Sequence, residues 1–206
     1  MIDKPLQQFL DDLASRSATP GGGSATAIIG AMGAALVSMV CNLTLGKAGY
    51  ESVASEMSDT LAEAENLRAR LADMVRQDID AFDRVMACYA MPKLTDEQKH
   101  VRSAAIQDAL KLATDVPLAC ARLCADLIRL CRIATQHGNR NVISDAGVGV
   151  MAAYAAMKSA ALNVYVNVGS IKDESFTAAR VAEIERLLAE CERDTAEVFA
   201  DVRSRL

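Results

Sequence analysis

SATPGGGSATAIIGAMGAALVSMVCNLTLGK, residues 17–47, is the stretch whose reading decides the fold of this chain. Between Arg16 and Lys47 no residue is charged, and a Pro20-Gly21-Gly22-Gly23-Ser24 turn opens onto a run of small apolar side chains. A run of about 20 such residues is long enough to cross a bilayer. Yet Ala and Gly dominate it, Ser38, Asn42 and Thr44 interrupt it, and its apolar signal is weaker than that of spanning helices. We read it as a helix buried on all sides in a soluble bundle. Ser24 is placed to cap its first turn, and Gly46 to stop it after about Leu45.

Outward from this run, 3.6-residue periodicity recurs and the strict alternation of strands does not, so the expected fold is an all-α multi-helix bundle. A short helix from about Asp3 to Ser15 precedes it, with Leu6, Phe9, Leu10 and Leu13 on one face. A long amphipathic segment from about Tyr50 to Met91 follows, with a break or kink expected near its middle. Its apolar stripe passes through Met57, Leu67, Leu71, Val75, Phe82, Val85 and Tyr89. Thr95 with Gln98 predicts a capping box for a helix to about Thr114, and Asp115-Val116-Pro117 predicts the start of another, closed by His137-Gly138. GNRNVISD (138–145) leads into a second small-residue, mostly apolar helix over about 146–168, with Lys158 its one charge, and Asp173 starts a last amphipathic one. The two small-residue helices are expected side by side at the bundle's centre, in one domain covering residues 1–206.

Composition excludes several functions. With 22 Lys and Arg against 27 Asp and Glu, scattered rather than clustered, neither a nucleic-acid stripe nor a polybasic membrane patch can form. Six cysteines without disulfide spacing, and a start lacking a basic and apolar leader, predict reduced thiols in the cytoplasm. Cys120, Cys124 and Cys131 share a helix face without a completing His/Cys set, so they are expected in the core rather than on a metal. With only His100 and His137, a Ser-His-Asp triad or a multi-histidine metal site is hard to build.

Candidate chemistry begins at Asp78, which occupies a core position of the long stripe, four residues before Phe82 and three after Val75. A buried carboxylate is paired, hydrogen-bonded or carries a raised pKa, and the last kind serves acid/base catalysis; a structural ion pair is the alternative. Asp80 and Asp83 should face solvent. The glycines of the PGGGS turn admit either a close backbone approach to an anion at a helix N-terminus or a tight turn with positive φ. Asn42, Thr44, Asn163 and Asn167 either bond across helices or recognise a ligand; Asn42 and Asn163 are retained as substrate-binding candidates.

Three segments, FLDDLASRSATPGGGSATAIIGAMGAALVSMVCNLTLGK, QDIDAFDRVMACYAMPK and GNRNVISDAGVGV followed by SAALNVYVN, in this order and spacing resemble the C-terminal domain family of formiminotransferase-cyclodeaminases. Within it the chain is most similar to free-standing bacterial methenyltetrahydrofolate cyclohydrolases. The resemblance implies an all-α, usually homodimeric bundle that converts folate one-carbon adducts without a metal or other cofactor. It places the family's catalytic aspartate on Asp78. It also suggests that Gly21, Gly22, Gly23, Ser24, Lys47, Asn139, Asn141, Ser144 and Asp145 line the folate cleft, with Lys47, Arg140 or Lys158 meeting the glutamate tail. Two activities compete, cyclohydrolysis and cyclodeamination; the chain carries no transferase segment, which favours the first. A catalytically silent helical dimer is the remaining alternative.

Overall fold

The computed structural model describes residues 5–206, and every regular element among them is helical. In chain order these are α1 (Leu6–Leu13), α2 (Gly22–Asn42), α3 (Ala54–Tyr89), α4 (Asp96–His137), α5 (Ile143–Val168) and α6 (Glu174–Ser204). Short 3-10 turns at Glu51–Val53 and Arg140–Val142 lead into α3 and α5. The first helix is shorter than its pattern suggests, and Asp3, where it was expected to begin, lies outside the described residues.

α2 packs on α3, α5 and α4. Its direction relative to each follows from point contacts. Gly30 meets Leu71 and Ser24 meets Asp78, so α2 and α3 are antiparallel. Gly30 meets Cys124, Gly33 meets Leu127 and Val40 meets Gly138, so α2 and α4 run the same way. Against α5 the backbones themselves touch, because a methyl on Gly33 would lie 3.0 Å from the Gly149 carbonyl oxygen. The small residues that weaken α2 and α5 as membrane spans are therefore what lets them approach closely. By length and composition α2 could cross a membrane, yet 56% of its most apolar window is buried within the chain.

Burial of Val37, Val40, Leu71, Leu127, Met157 and Ile184, each at most 1% exposed, forms the common core. Each such side chain contributes about 1.5–3 kcal/mol by leaving water. The two small-residue helices α2 and α5 are not enclosed, however. Met32 at the midpoint of α2 is 58% exposed, and Val148, Met151, Leu162 and Val166 form an exposed stripe along α5. The expectation of burial on all sides is corrected: α2 and α5 make one wall of the bundle, with one face uncovered in the single chain.

Three further expectations change. α3 runs without interruption for 36 residues and outreaches the 21 of α2. Beyond Asp78 it keeps Ala81 buried and Arg102 of α4 against Tyr89, but Phe82, Met86 and Tyr89 are exposed rather than core, and Val85 is half-buried. Pro117 does not start a helix but lies inside α4, which continues for 42 residues. A proline there removes an amide donor and frees the carbonyl four residues back. That carbonyl, of Ala113, accepts from the side-chain amide of Asn167 on α5 at 2.7 Å. Asp115, the expected cap, instead accepts from Arg180 of α6 at 2.8 Å. The capping box of Thr95 with Gln98 and the cap at Asp173 form as expected.

Candidate active site

Ser24 is fully buried, but it is not the cap of α2. The helix begins at Gly22, with Gly21 in the cap position and no side-chain cap bond, so the role expected of Ser24 is corrected. Its hydroxyl points across to α3 and donates to Asp78 Oδ2 at 2.9 Å. The first turn of α2, with its free N–H groups and partial positive charge, is thus closed by a carboxylate from a neighbouring helix.

The glycines now separate by role. None of Gly21, Gly22 and Gly23 has positive φ, so turn geometry is not their reason; positive φ occurs instead at Gly46 and Gly49, after α2 ends at Asn42. A Cβ on Gly23 would lie 2.1 Å from Asp78 Oδ1 and 2.5 Å from its Cγ. The carboxylate fills the space of the missing side chain. A Cβ on Gly22 would meet nothing within 4 Å.

Half-burial pushes the pKa of Asp78 up from the usual carboxylate value, and the hydroxyl and backbone N–H of Ser24 hold it partly down; the balance is a raised value. Among the described residues no cation pairs with it, in contrast to Asp115 with Arg180 or Asp173 with Lys111. The structural ion pair considered for Asp78 is not what holds it. Asp80 and Asp83 face solvent.

The other predicted residues gather at the opposite end of α2. Asn139 is buried and committed: its N–H donates to Thr44 Oγ1 at 2.8 Å, its side-chain amide donates to the Leu43 carbonyl at 2.8 Å, and its Oδ1 accepts from the Asn141 N–H. This clamp fixes the 138–145 loop on the C-terminus of α2. It leaves Asn42, Asn141 and Ser144 exposed and Lys47 and Asp145 half-buried. A cavity of about 560 Å³ opens at this end, lined by Tyr50, His137, Arg140 and Arg205 among others; Asp78 is not on its wall. Sequence reading missed Tyr50, whose hydroxyl accepts from the Arg140 N–H at 3.1 Å, and Arg205, which donates to the Thr135 carbonyl. No local pattern marks either.

Between the two ends stands the length of α2, 21 residues, or about 30 Å at 1.5 Å per residue. Since α5 is antiparallel to α2 about the Gly33–Gly149 contact, Asn163 lies toward the Asp78 end. Its amide donates to the Ser159 carbonyl on its own helix at 2.9 Å.

The formiminotransferase-cyclodeaminase family model matches residues 5–186. This chain belongs to that family. It is 52% identical over 204 residues to a methenyltetrahydrofolate cyclohydrolase of Methylorubrum extorquens, covering 99% of this chain and 98% of that protein. A formimidoyltransferase-cyclodeaminase of Gallus gallus is 34% identical over 205 residues, and there the chain spans only 38% of the relative's length. Among solved structures, a formiminotetrahydrofolate cyclodeaminase of Thermotoga maritima shares the fold with a TM-score of 0.83 and 32% identity over 99% of this chain and 96% of that one.

Proposed function

We propose that this chain is a methenyltetrahydrofolate cyclohydrolase, a cytoplasmic homodimer that hydrolyses 5,10-methenyltetrahydrofolate to 10-formyltetrahydrofolate with Asp78 as its catalytic residue. The observation that carries the reading is end-to-end similarity, at 52% identity, to a protein of that name, whereas the bifunctional relatives match over 38% of their length. The corner where Asp78 meets Ser24 supplies chemistry that fits.

The substrate's bridging carbon is part of an N5–C–N10 amidinium cation. An ionised Asp78, with no cation paired to it among the described residues, favours that charge and draws a water against the carbon. As the water oxygen bonds to the carbon, the carboxylate takes one of its protons, giving a neutral tetrahedral carbinolamine. Asp78 then returns the proton to N5 as the C–N5 bond breaks, the second water proton leaves to solvent, and the formyl group remains on N10. Cation and water go in; neutral product and one proton come out. The Ser24 hydroxyl fixes the carboxylate's orientation throughout. Positioned acid/base groups of this kind contribute typically 10²–10⁴-fold in rate.

A second reading, cyclodeamination of 5-formiminotetrahydrofolate, draws on the solved cyclodeaminase with which the fold is shared. It passes through a tetrahedral carbon between the same two nitrogens. Purified protein given each substrate separates them. Rapid loss of methenyl absorbance without ammonia release is expected; ammonia release from the formimino compound with no methenyl hydrolysis would replace the proposed reaction by the second.

The homodimer rests on the uncovered α2/α5 face, where Met32, Leu43, Val148, Met151, Leu162 and Val166 are exposed. An apolar face of this kind, interrupted on α5 by the exposed Lys158, marks an interaction surface.

A further inference from the structure

We infer that Phe82 is a specificity-determining residue of the Asp78 corner, its ring face receiving the positive charge of the substrate's one-carbon bridge before water adds. The inference rests on the proposed folate reaction and names the group that tells the cationic substrate from its neutral product.

Register places the ring. α2 and α3 are antiparallel, with Leu71 against Gly30 and Asp78 against Gly23. Seven residues along α3 thus answer seven along α2, and the next position on the same face, Phe82, falls beyond the helix start at Gly22. There the ring is 38% exposed. Asp78 and Phe82 stand four residues apart on one helix face, about 6 Å by helical rise. Aromatic side chains on a helix lean toward its N-terminus, so the Phe82 ring leans back over the turn that carries Asp78.

Charge completes the case. Three other rings are already covered by cations of the chain: Arg102 lies 5.7 Å from the centre of Tyr89, Lys158 5.5 Å from that of Tyr154 and Arg180 4.2 Å from that of Phe176. Among the described residues no such cation covers Phe82, and none pairs with Asp78. A ring face and a carboxylate, both open to a positive charge, therefore flank one place. The bridge carbon of the substrate is cationic and belongs to a fused planar ring system. Seated against Asp78, it comes within the roughly 6 Å over which a ring face attracts a cation. Addition of water removes the charge, and with it the hold of Phe82. An interaction strongest in the ground state lowers KM without raising kcat, and it favours exchange of neutral product for charged substrate.

Phe82→Leu tests this, because it keeps an apolar side chain and removes the ring face. KM for the methenyl cation is expected to rise about 3- to 30-fold, with kcat within about two-fold of wild type. Inhibition by the neutral 10-formyl product should weaken by about two-fold or less, and Phe82→Tyr, which retains the face, should restore the wild-type KM. Melting of Phe82→Leu should match wild type, since the ring is exposed. Should that variant fold poorly, Phe82→Met carries the same expectation. An unchanged KM, a loss confined to kcat, or an equal weakening of cation and neutral product would each overturn the recognition of charge by Phe82 while leaving wild-type hydrolysis intact. A wild-type chain inactive on methenyl-folate would instead sink the proposed function, and equilibrium titration of wild type and Phe82→Leu with the methenyl cation would still read the ring's part in binding.

Discussion

The two ends of α2 solve the same problem in opposite ways. Every helix leaves free donors at its start and free acceptors at its end. At the C-terminal end the solution is complete: the Leu43 carbonyl, the Thr44 hydroxyl and all the polar groups of Asn139 are matched within a few residues. At the N-terminal end a carboxylate from α3 does the closing, Ser24 donates to it, and among the described residues no cation pairs with it in its half-buried corner. One end is fully hydrogen-bonded. The other keeps a basic oxygen pair under-satisfied, which a structural cap does not need and a proton-transfer group does.

Four changes would break or sharpen that contrast. The largest effect is expected from Asp78→Asn, with hydrolysis falling 10²–10⁴-fold. Melting tells whether stability falls with it. Because the folded-state pKa of Asp78 is raised, its contribution to stability is present at low pH and lost as pH rises through that value; at neutral pH the ionised group is a net cost. The asparagine variant should thus melt at the wild-type temperature or slightly above, and a large drop would show Asp78 to be structural.

Next comes Gly23→Ala, whose methyl competes for space with Asp78 Oδ1. Displacing a catalytic group by about 1 Å can cost on the order of 10²-fold in rate. Kinetics of the folded variant check this, and unaltered turnover would mean that the carboxylate position does not matter.

At the other end, Thr44→Val removes the acceptor of a buried N–H and should cost about 1–3 kcal/mol of stability. Denaturant titration measures that cost. The turnover of folded protein should change less than the stability does.

The smallest effect is expected from Gly22→Ala, where the added methyl meets open space. It should leave turnover unchanged and raise stability by up to about 1 kcal/mol through helix propensity. A loss of activity as large as that of Gly23→Ala would show the glycine turn to be sensitive for some reason other than contact with Asp78.

What could be read from the chain alone tracks the range of the forces involved. Asp78 was visible because a carboxylate interrupts a 3.6-residue stripe, a local conflict. The Thr95 box and the Asp173 cap were visible because their partners lie within three residues. The continuity of α4 through Pro117 was hidden, since the carbonyl it frees is satisfied by Asn167, 54 positions away. The role of Ser24 was misread for the same reason: local rules assign it to its own helix, while its partner Asp78 lies 54 positions along the chain. Phe82 and Tyr89 follow the stripe faithfully, yet the structure leaves both exposed. Pattern alone also could not reveal that the PGGGS turn and the GNRNVISD loop stand at opposite ends of one helix.

The most direct test of the central claim is the pH dependence of methenyl-folate hydrolysis in wild type and in Ser24→Ala. Activity requires ionised Asp78, so it should fall on the acid side through a pKa raised from the usual aspartate value by burial. Loss of the Ser24 hydroxyl, which holds that value down, should move the acid limb to higher pH. An acid limb that stays in place, or that shifts to lower pH, would contradict the assignment of Asp78 as the base.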